Sequence, residues 1–88
     1  MTNTNNIAAI RFTIESIADK IADFESFGIT SKGLYEALGV FEASLATCIA
    51  ENMTEAGFDY GDALSLGNKK AKQFADDALK AAREAVAA

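Results

Sequence analysis

The strict spacing of isoleucines near the start of the chain restricts it to a packed helical fold. Between positions 7 and 24, large apolar residues follow one another at alternating steps of three and four. Such steps place all of them on one narrow stripe of an α-helix, which needs neighbouring helices to cover it. The members of this stripe are Ile7, Ile10, Ile14, Ile17, Ile21 and Phe24.

Two later stretches repeat the heptad step and predict those neighbouring helices. The second stripe is rich in leucine and phenylalanine, and the third is rich in alanine, so bulky faces meet a small one. The second comprises Leu34, Leu38, Phe41, Leu45, Cys48, Ile49 and Met53. The third comprises Leu64, Gly67, Ala71, Phe74, Ala78, Ala81 and Ala85, widened by Ala75, Leu79, Ala82 and Val86.

Small polar residues and glycines mark the predicted ends of the helices. Gly28 and Gly57 supply the left-handed residue that ends a helix, and Ile29 fits the apolar position that follows. Side-chain oxygens just before each stripe accept hydrogen bonds from the first turn of a helix. The candidate caps are Asn5 or Asn6, Thr30 or Ser31, and Asp59 or Asp62.

These signals predict an all-α fold, an antiparallel three-helix bundle running up, down and up. We expect helices at about 6–27, 31–56 and 60–86, in a single domain spanning 1–88, with residues 1–5 frayed. The chain contains no proline to interrupt them, and short connections place consecutive helices antiparallel. A start of the third helix at Asn68 is less favourable, because Lys69 and Lys70 would then lie in its first turn.

Two glycines lie inside predicted helices. A glycine in a helix interior costs about 1 kcal/mol relative to alanine. We expect Gly39 to mark a close approach of a neighbouring helix, and Gly67 to permit a kink in the third helix.

The composition removes several classes of function. The chain has no histidine, the commonest general base and metal ligand, and a single cysteine, so no intramolecular disulfide forms. We expect Cys48 to be buried and inert, and we predict no enzyme. No uninterrupted apolar run approaches the roughly 18–20 residues of a membrane span, and the polar start lacks the order of a secretory signal. A cytoplasmic protein with no membrane partner is expected.

The charge is distributed unevenly along the chain. The net charge is −5; residues 1–62 hold ten acidic and three basic residues, whereas residues 63–88 hold three acidic and five basic ones. This polarity favours docking on a basic protein, or self-association as a homodimer. Direct binding of nucleic acid is not expected, because phosphates require a concentrated basic face.

No motif for a cofactor or a metal is present. Residues 59–62 begin like a calcium loop, but Leu64, Leu66 and Lys70 occupy positions where that loop needs oxygen ligands. The glycines between 57 and 67 lack the Gly-Lys-Ser/Thr of a phosphate loop. We therefore predict no cofactor, no metal and no catalytic residue.

Acidic and aromatic residues outside the stripes form the predicted protein-binding site. Glu15, Asp19 and Asp23 lie on one side of the first helix, either as a recognition row or as an ordinary solvated face. Aromatic residues among acids are typical anchors for a protein partner. The aromatic members are Phe12, Tyr35, Phe58 and Tyr60, with Val40 and Leu66 also expected off the core.

These features favour a small acidic binding protein without catalysis. In size, charge and class the chain resembles inhibitors encoded by phages or mobile elements, such as anti-CRISPR proteins. The resemblance implies docking on a larger basic protein or complex that handles nucleic acid. A self-associating structural protein is one alternative, and a helical bundle that binds a ligand or metal is another.

Overall fold

Three α-helices make up the protein. The computed structural model describes the backbone of residues 3–88 and the side chains of residues 6–88. Helix α1 spans Asn3–Ser26, α2 spans Lys32–Glu55 and α3 spans Tyr60–Ala87. Every helix packs on the other two, and the bundle extends 46 × 21 × 21 Å. The predicted all-α three-helix bundle is confirmed. In this up-down-up order α1 and α3 run parallel, and α2 runs against both.

The helix starts follow from side-chain caps. The Ser31 hydroxyl oxygen accepts a hydrogen bond from the Leu34 N–H at 3.2 Å. The Asp59 carboxylate accepts one from the Asp62 N–H at 3.3 Å. Each contact satisfies a backbone donor that has no partner within the helix. Of the paired candidates in the sequence, Ser31 and Asp59 are therefore the caps.

The predicted glycine ends are also present. Gly28 and Gly57 have φ angles of 80° and 105°. After Gly28, the Ile29 N–H donates a hydrogen bond to the Phe24 carbonyl at 3.0 Å. After Gly57, the Phe58 N–H donates the equivalent bond to the Met53 carbonyl at 3.0 Å. These are the long bonds of Schellman motifs, which require a left-handed residue at the glycine.

The start of α1 differs from the prediction. The helix begins at Asn3 and not at residue 6, so Asn6 lies within it instead of capping it. Nothing between Asn3 and Ile7 breaks a helix, since no glycine or proline occurs there. Of the residues expected to be frayed, 3–5 are helical in their backbone, and residues 1 and 2 lie outside the described part of the chain.

The main core forms where the bulky stripes of α1 and α2 meet the small stripe of α3. Ile14, Ile21 and Leu45 are the largest fully buried side chains. Half-buried apolar residues, among them Ile17 and Phe41, pack around them. The buried members of this cluster are Ile14, Ile21, Leu38, Leu45, Ala46, Ile49, Ala71 and Ala75.

A second cluster departs from the heptad stripes. Ala18 and Ala22 of α1 are buried against Ala82 of α3, although neither belongs to the isoleucine stripe. A helix that faces two neighbours buries a wider face than a heptad seam provides. At this end of the bundle the stripe residue Phe24 is 42 % exposed instead.

The alanine stripe is also not buried throughout. Ala81 and Ala85, expected in the core, are exposed. The buried α1–α3 contact is made one position further round the helix, at Ala82.

The close helix approach is at Gly67 and not at Gly39. A Cβ atom at Gly67 would lie 2.5 Å from the backbone oxygen of Ala46 in α2. Gly67 is buried inside the unbroken helix α3, so its missing side chain permits contact between two backbones. Gly39 is exposed, and a Cβ there would meet nothing within 4 Å. The expectation for Gly39 was therefore wrong, because heptad spacing does not tell an inner glycine from an outer one.

Replacing these two glycines with alanine has opposite expected effects. Gly39→Ala should stabilise the protein by about 0.5–1 kcal/mol, because alanine favours the helix and no atom obstructs it. Gly67→Ala should destabilise it by about 1–3 kcal/mol, because the new methyl forces α2 and α3 apart. Urea unfolding followed by circular dichroism measures both. Equal and stabilising effects of the two substitutions would contradict the assigned packing.

Candidate functional site

One face of α1 carries a phenylalanine together with three carboxylates. Phe12, Glu15, Asp19 and Asp23 recur at steps of three and four residues, which places them on one side of the helix. All four are exposed, and the Phe12 side chain retains 70 % of its accessible surface. We call these four residues the Phe12 face. The structure brings together these four of the seven residues predicted from the sequence.

The burial of the opposite side of α1 fixes this orientation. Ile14, Ala18 and Ile21 are essentially inaccessible to solvent. Since a helix turns about 100° per residue, Phe12 and Asp19 lie on the side of α1 opposite to these buried residues. The apolar packing of α1 therefore presents the Phe12 face to solvent.

A shallow groove runs between α1 and α3 beside this face. Its floor consists mainly of alanines, and its α1 wall consists of the three carboxylates and Lys20. Two open depressions of about 270 and 430 Å³ lie along it. Together they are lined by Glu15, Asp19, Lys20, Asp23, Ala78, Ala81, Ala82, Ala85 and Val86.

The same groove becomes basic toward the start of α3. The Arg11 guanidinium lies 5.4 Å from the centre of the Phe74 ring, which is a cation–π contact. Lys69 and Lys70 lie beside this pair around an open depression of about 440 Å³. Leu66, Gln73 and Asp77 complete its lining. Three cations thus lie around one acid in a chain whose net charge is −5.

A three-residue polar clasp joins all three helices at the opposite end of the bundle. The Tyr35 hydroxyl of α2 donates to Glu25 Oε2 of α1 at 2.5 Å. The Arg83 guanidinium of α3 donates to Glu25 Oε1 at 2.9 Å and Oε2 at 3.3 Å, and also to the Tyr35 oxygen at 2.8 Å. Tyr35 is half-buried against the core. Its hydroxyl is engaged within the bundle, a role that the sequence analysis missed.

The clasp shifts the pKa values of its members. The hydrogen bond from Arg83, followed by that from Tyr35, lowers the pKa of Glu25 below its ordinary value of 4.5. The hydrogen bond to Glu25 raises the pKa of Tyr35 above 10.0. Both shifts favour the state with ionised Glu25 and neutral Tyr35. The clasp is thus intact at neutral pH.

We expect the contribution of the clasp to stability to depend on pH. Because folding lowers the pKa of Glu25, the stabilisation is complete above about 4.5 and is lost as the pH falls through the lower folded value. Glu25→Gln should therefore reduce the melting temperature by a few degrees at neutral pH. The difference from the wild type should shrink as the pH falls below 4.5.

Glu36→Gln provides the matched control, since Glu36 is an exposed glutamate of α2 outside the clasp. Thermal melts of the three proteins across this pH range give the comparison. If the two variants follow the same curve, the clasp has no special role in stability.

The remaining predicted residues do not join the Phe12 face. Tyr35 lies in the first turn of α2, whereas Phe58 and Tyr60 connect the end of α2 to α3. A helix of 24 residues rises about 36 Å, so Tyr35 lies at one end of the bundle and the other two at the opposite end. Phe58 and Tyr60 are exposed, as are Val40 and Leu66. The seven residues therefore do not form one continuous patch.

The described side chains provide neither a reactive thiol nor a cluster of metal ligands. Cys48 is half-buried and not fully buried as expected. Burial raises the pKa of its thiol, and the negative charge of Glu51 adds to this, so little of the reactive thiolate forms. Among residues 6–88, no group of three histidine, cysteine, aspartate or glutamate side chains is arranged to hold a metal.

Helix α2 is apolar on average. It is the one described helix that is long and apolar enough to cross a membrane by length and composition. Glutamates interrupt the apolar run of α2, but its mean hydropathy stays high despite them. Core helices of soluble proteins and signal sequences meet the same criterion, and 28 % of the apolar window of α2 is buried in the bundle.

Comparison with known families, with curated proteins and with solved structures gives no match to this chain.

Proposed function

We propose that this protein is a non-catalytic binding module that docks through the Phe12 face on a basic surface of a larger protein. The observation that carries the proposal is the exposure of Phe12 on the same helix face as three carboxylates. The core packing of α1 does not use these four residues.

Phe12 has the properties of an anchor. Transferring apolar surface out of water contributes about 25 cal/mol per Å², and Phe12, which is 70 % exposed, retains most of this gain for a complex. Aromatic residues that fill a partner's pocket commonly dominate the binding energy. The surrounding carboxylates would form the polar rim, where charge selects the partner and speeds association.

The charge of the face indicates the chemistry of the partner. Arginine and lysine pair with carboxylates by the same charge-assisted hydrogen bonds that they use for phosphates. A surface that binds nucleic acid is therefore a suitable target for the row Glu15, Asp19 and Asp23. By occupying such a surface, the protein would act as an inhibitor of a nucleic-acid-handling protein. This is the mode of action expected of a cytoplasmic phage or mobile-element inhibitor of the anti-CRISPR type.

A binding role also agrees with the chemistry of the chain. With no histidine in the sequence and a raised pKa at Cys48, no base–nucleophile arrangement among residues 6–88 supports an enzyme. The open depressions between the helices do not enclose a small ligand as a substrate pocket does.

Removing the Phe12 ring should abolish partner capture without affecting the fold. Wild-type protein immobilised as bait in a bacterial lysate should retain a stoichiometric, basic, nucleic-acid-binding protein. Phe12→Ala should weaken this interaction at least about tenfold, as the loss of an aromatic anchor does. Quantitative mass spectrometry of the captured proteins measures the ratio. Duplex DNA added to the complex should compete for the same basic surface.

Val40→Ala is the matched control, because Val40 is also highly exposed, at 62 %, but lies on α2. It should leave capture unchanged. The proposal is wrong if wild type and Phe12→Ala retain the same proteins in equal amounts, or if Val40→Ala has the larger effect.

A further inference from the structure

The groove between α1 and α3 has opposite charges in its two halves. Its basic half contains Arg11, Lys69 and Lys70, with Asp77 as the one acid. Its acidic half contains the three carboxylates of the Phe12 face, with Asp19 at the centre, and one base, Lys20. Because α1 and α3 run parallel, the two halves follow one another along the length of the bundle.

The contacts along the groove give the order of these groups. Arg11 lies at the level of Phe74, since its guanidinium covers that ring. Glu15 and Asp19 line one depression with alanines of α3, and continuing the parallel register from Arg11 and Phe74 places Glu15 near Ala78 and Asp19 near Ala82. The same parallel register places Asp23 beside Val86. Lys70 precedes Phe74 by one helical turn, so the charges run from positive to negative along one line.

We propose that this groove is the interface between two copies of the chain, which pack antiparallel about a two-fold axis. The axis passes between the levels of Phe74 and Ala78. It sets Lys70 of each copy against Asp19 of the other and Arg11 against Glu15. It also brings the exposed apolar residues Leu66 and Val86 together across the interface.

Three features favour a second copy as the occupant. A two-fold interface requires a patch that is complementary to itself, and a groove that is positive in one half and negative in the other meets this requirement. The exposed Ala81 and Ala85 let a neighbouring helix approach closely, because their side chains are short. The bundle is 46 Å long and 21 Å wide, so one face exceeds the roughly 800 Å² that each partner buries in a standard interface.

The dimer goes beyond the proposed partner binding and does not rest on it. Both use Asp19, so the two complexes compete for the acidic half of the groove. Phe12 lines none of the depressions in the groove, whereas Lys70 lines the basic half. Phe12→Ala therefore reports on partner binding, and Lys70→Glu reports on the dimer.

Charge reversal tests the interface. Sedimentation velocity of the wild type at rising concentration in low-salt buffer should show a monomer–dimer equilibrium, which added salt shifts toward monomer. Lys70→Glu and Asp19→Lys should each raise the dimer dissociation constant about tenfold or more, because each creates two like-charge contacts. Both positions are exposed, and circular dichroism should confirm an unchanged helix content.

Mixing the two variants gives the decisive result. In a heterodimer of Lys70→Glu with Asp19→Lys, every contact between positions 70 and 19 again joins opposite charges. Native mass spectrometry of an equal mixture should show heterodimer in large excess over both homodimers. A wild type that stays monomeric at all concentrations overturns the proposal, even if the monomer captures other proteins. A dimer that is insensitive to both reversals, or a mixture that forms no heterodimer, also overturns it.

Discussion

The structure depends on the close packing of small residues where α3 meets its neighbours. At Gly67 the backbone of α3 lies directly against Ala46 of α2. At the other end Ala82 is buried against Ala18 and Ala22 of α1. Alanine and glycine bury little apolar area. Their contact therefore stabilises the bundle because the helices lie close together, which allows many dispersion contacts between them. The bulky Ile14, Ile21 and Leu45 then fill the centre of the bundle.

This packing determines which residues are left to face solvent. Every buried side chain among residues 6–88 is apolar or glycine, so the charged residues lie toward the outside. Because α1 and α3 run parallel and touch through alanines, their charged residues flank a common groove. The clasp of Glu25, Tyr35 and Arg83 joins the three helices at one end. The fold thus separates a polar contact that holds the helices together from a charged face that remains free.

The sequence predicted the fold well because its local signals agree with one another. The heptad steps located three helices, and Gly28, Ser31, Gly57 and Asp59 located their connections to within a residue or two. Each of these signals acts through hydrogen bonds between residues close in the chain. Only the start of α1 was misplaced, because Asn5 and Asn6, the candidate caps, both lie inside the helix.

Features that depend on the arrangement of the helices were harder to predict. Periodicity identifies the apolar face of a helix, but it does not tell which edge of that face meets which neighbour. For this reason Ala18 and Ala22 were missed and Gly39 was mistaken for Gly67. Tyr35 was predicted to be a free anchor because its partners Glu25 and Arg83 are 10 and 48 residues away in the sequence. Phe12 and the acidic row share one exposed face because all four lie on one helix, so their spacing in the sequence determines their relative positions.

The distance between α2 and α3 at Gly67 tests the central claim most directly. In a nuclear Overhauser spectrum of the protein in solution, the α-protons of Gly67 should show strong cross-peaks to protons of Ala46 and Ala50, since the backbones of these residues are in contact. Cross-peaks from Gly67 only to residues of its own helix would contradict the account, because α3 would then lie too far from α2 for small residues to hold the bundle together.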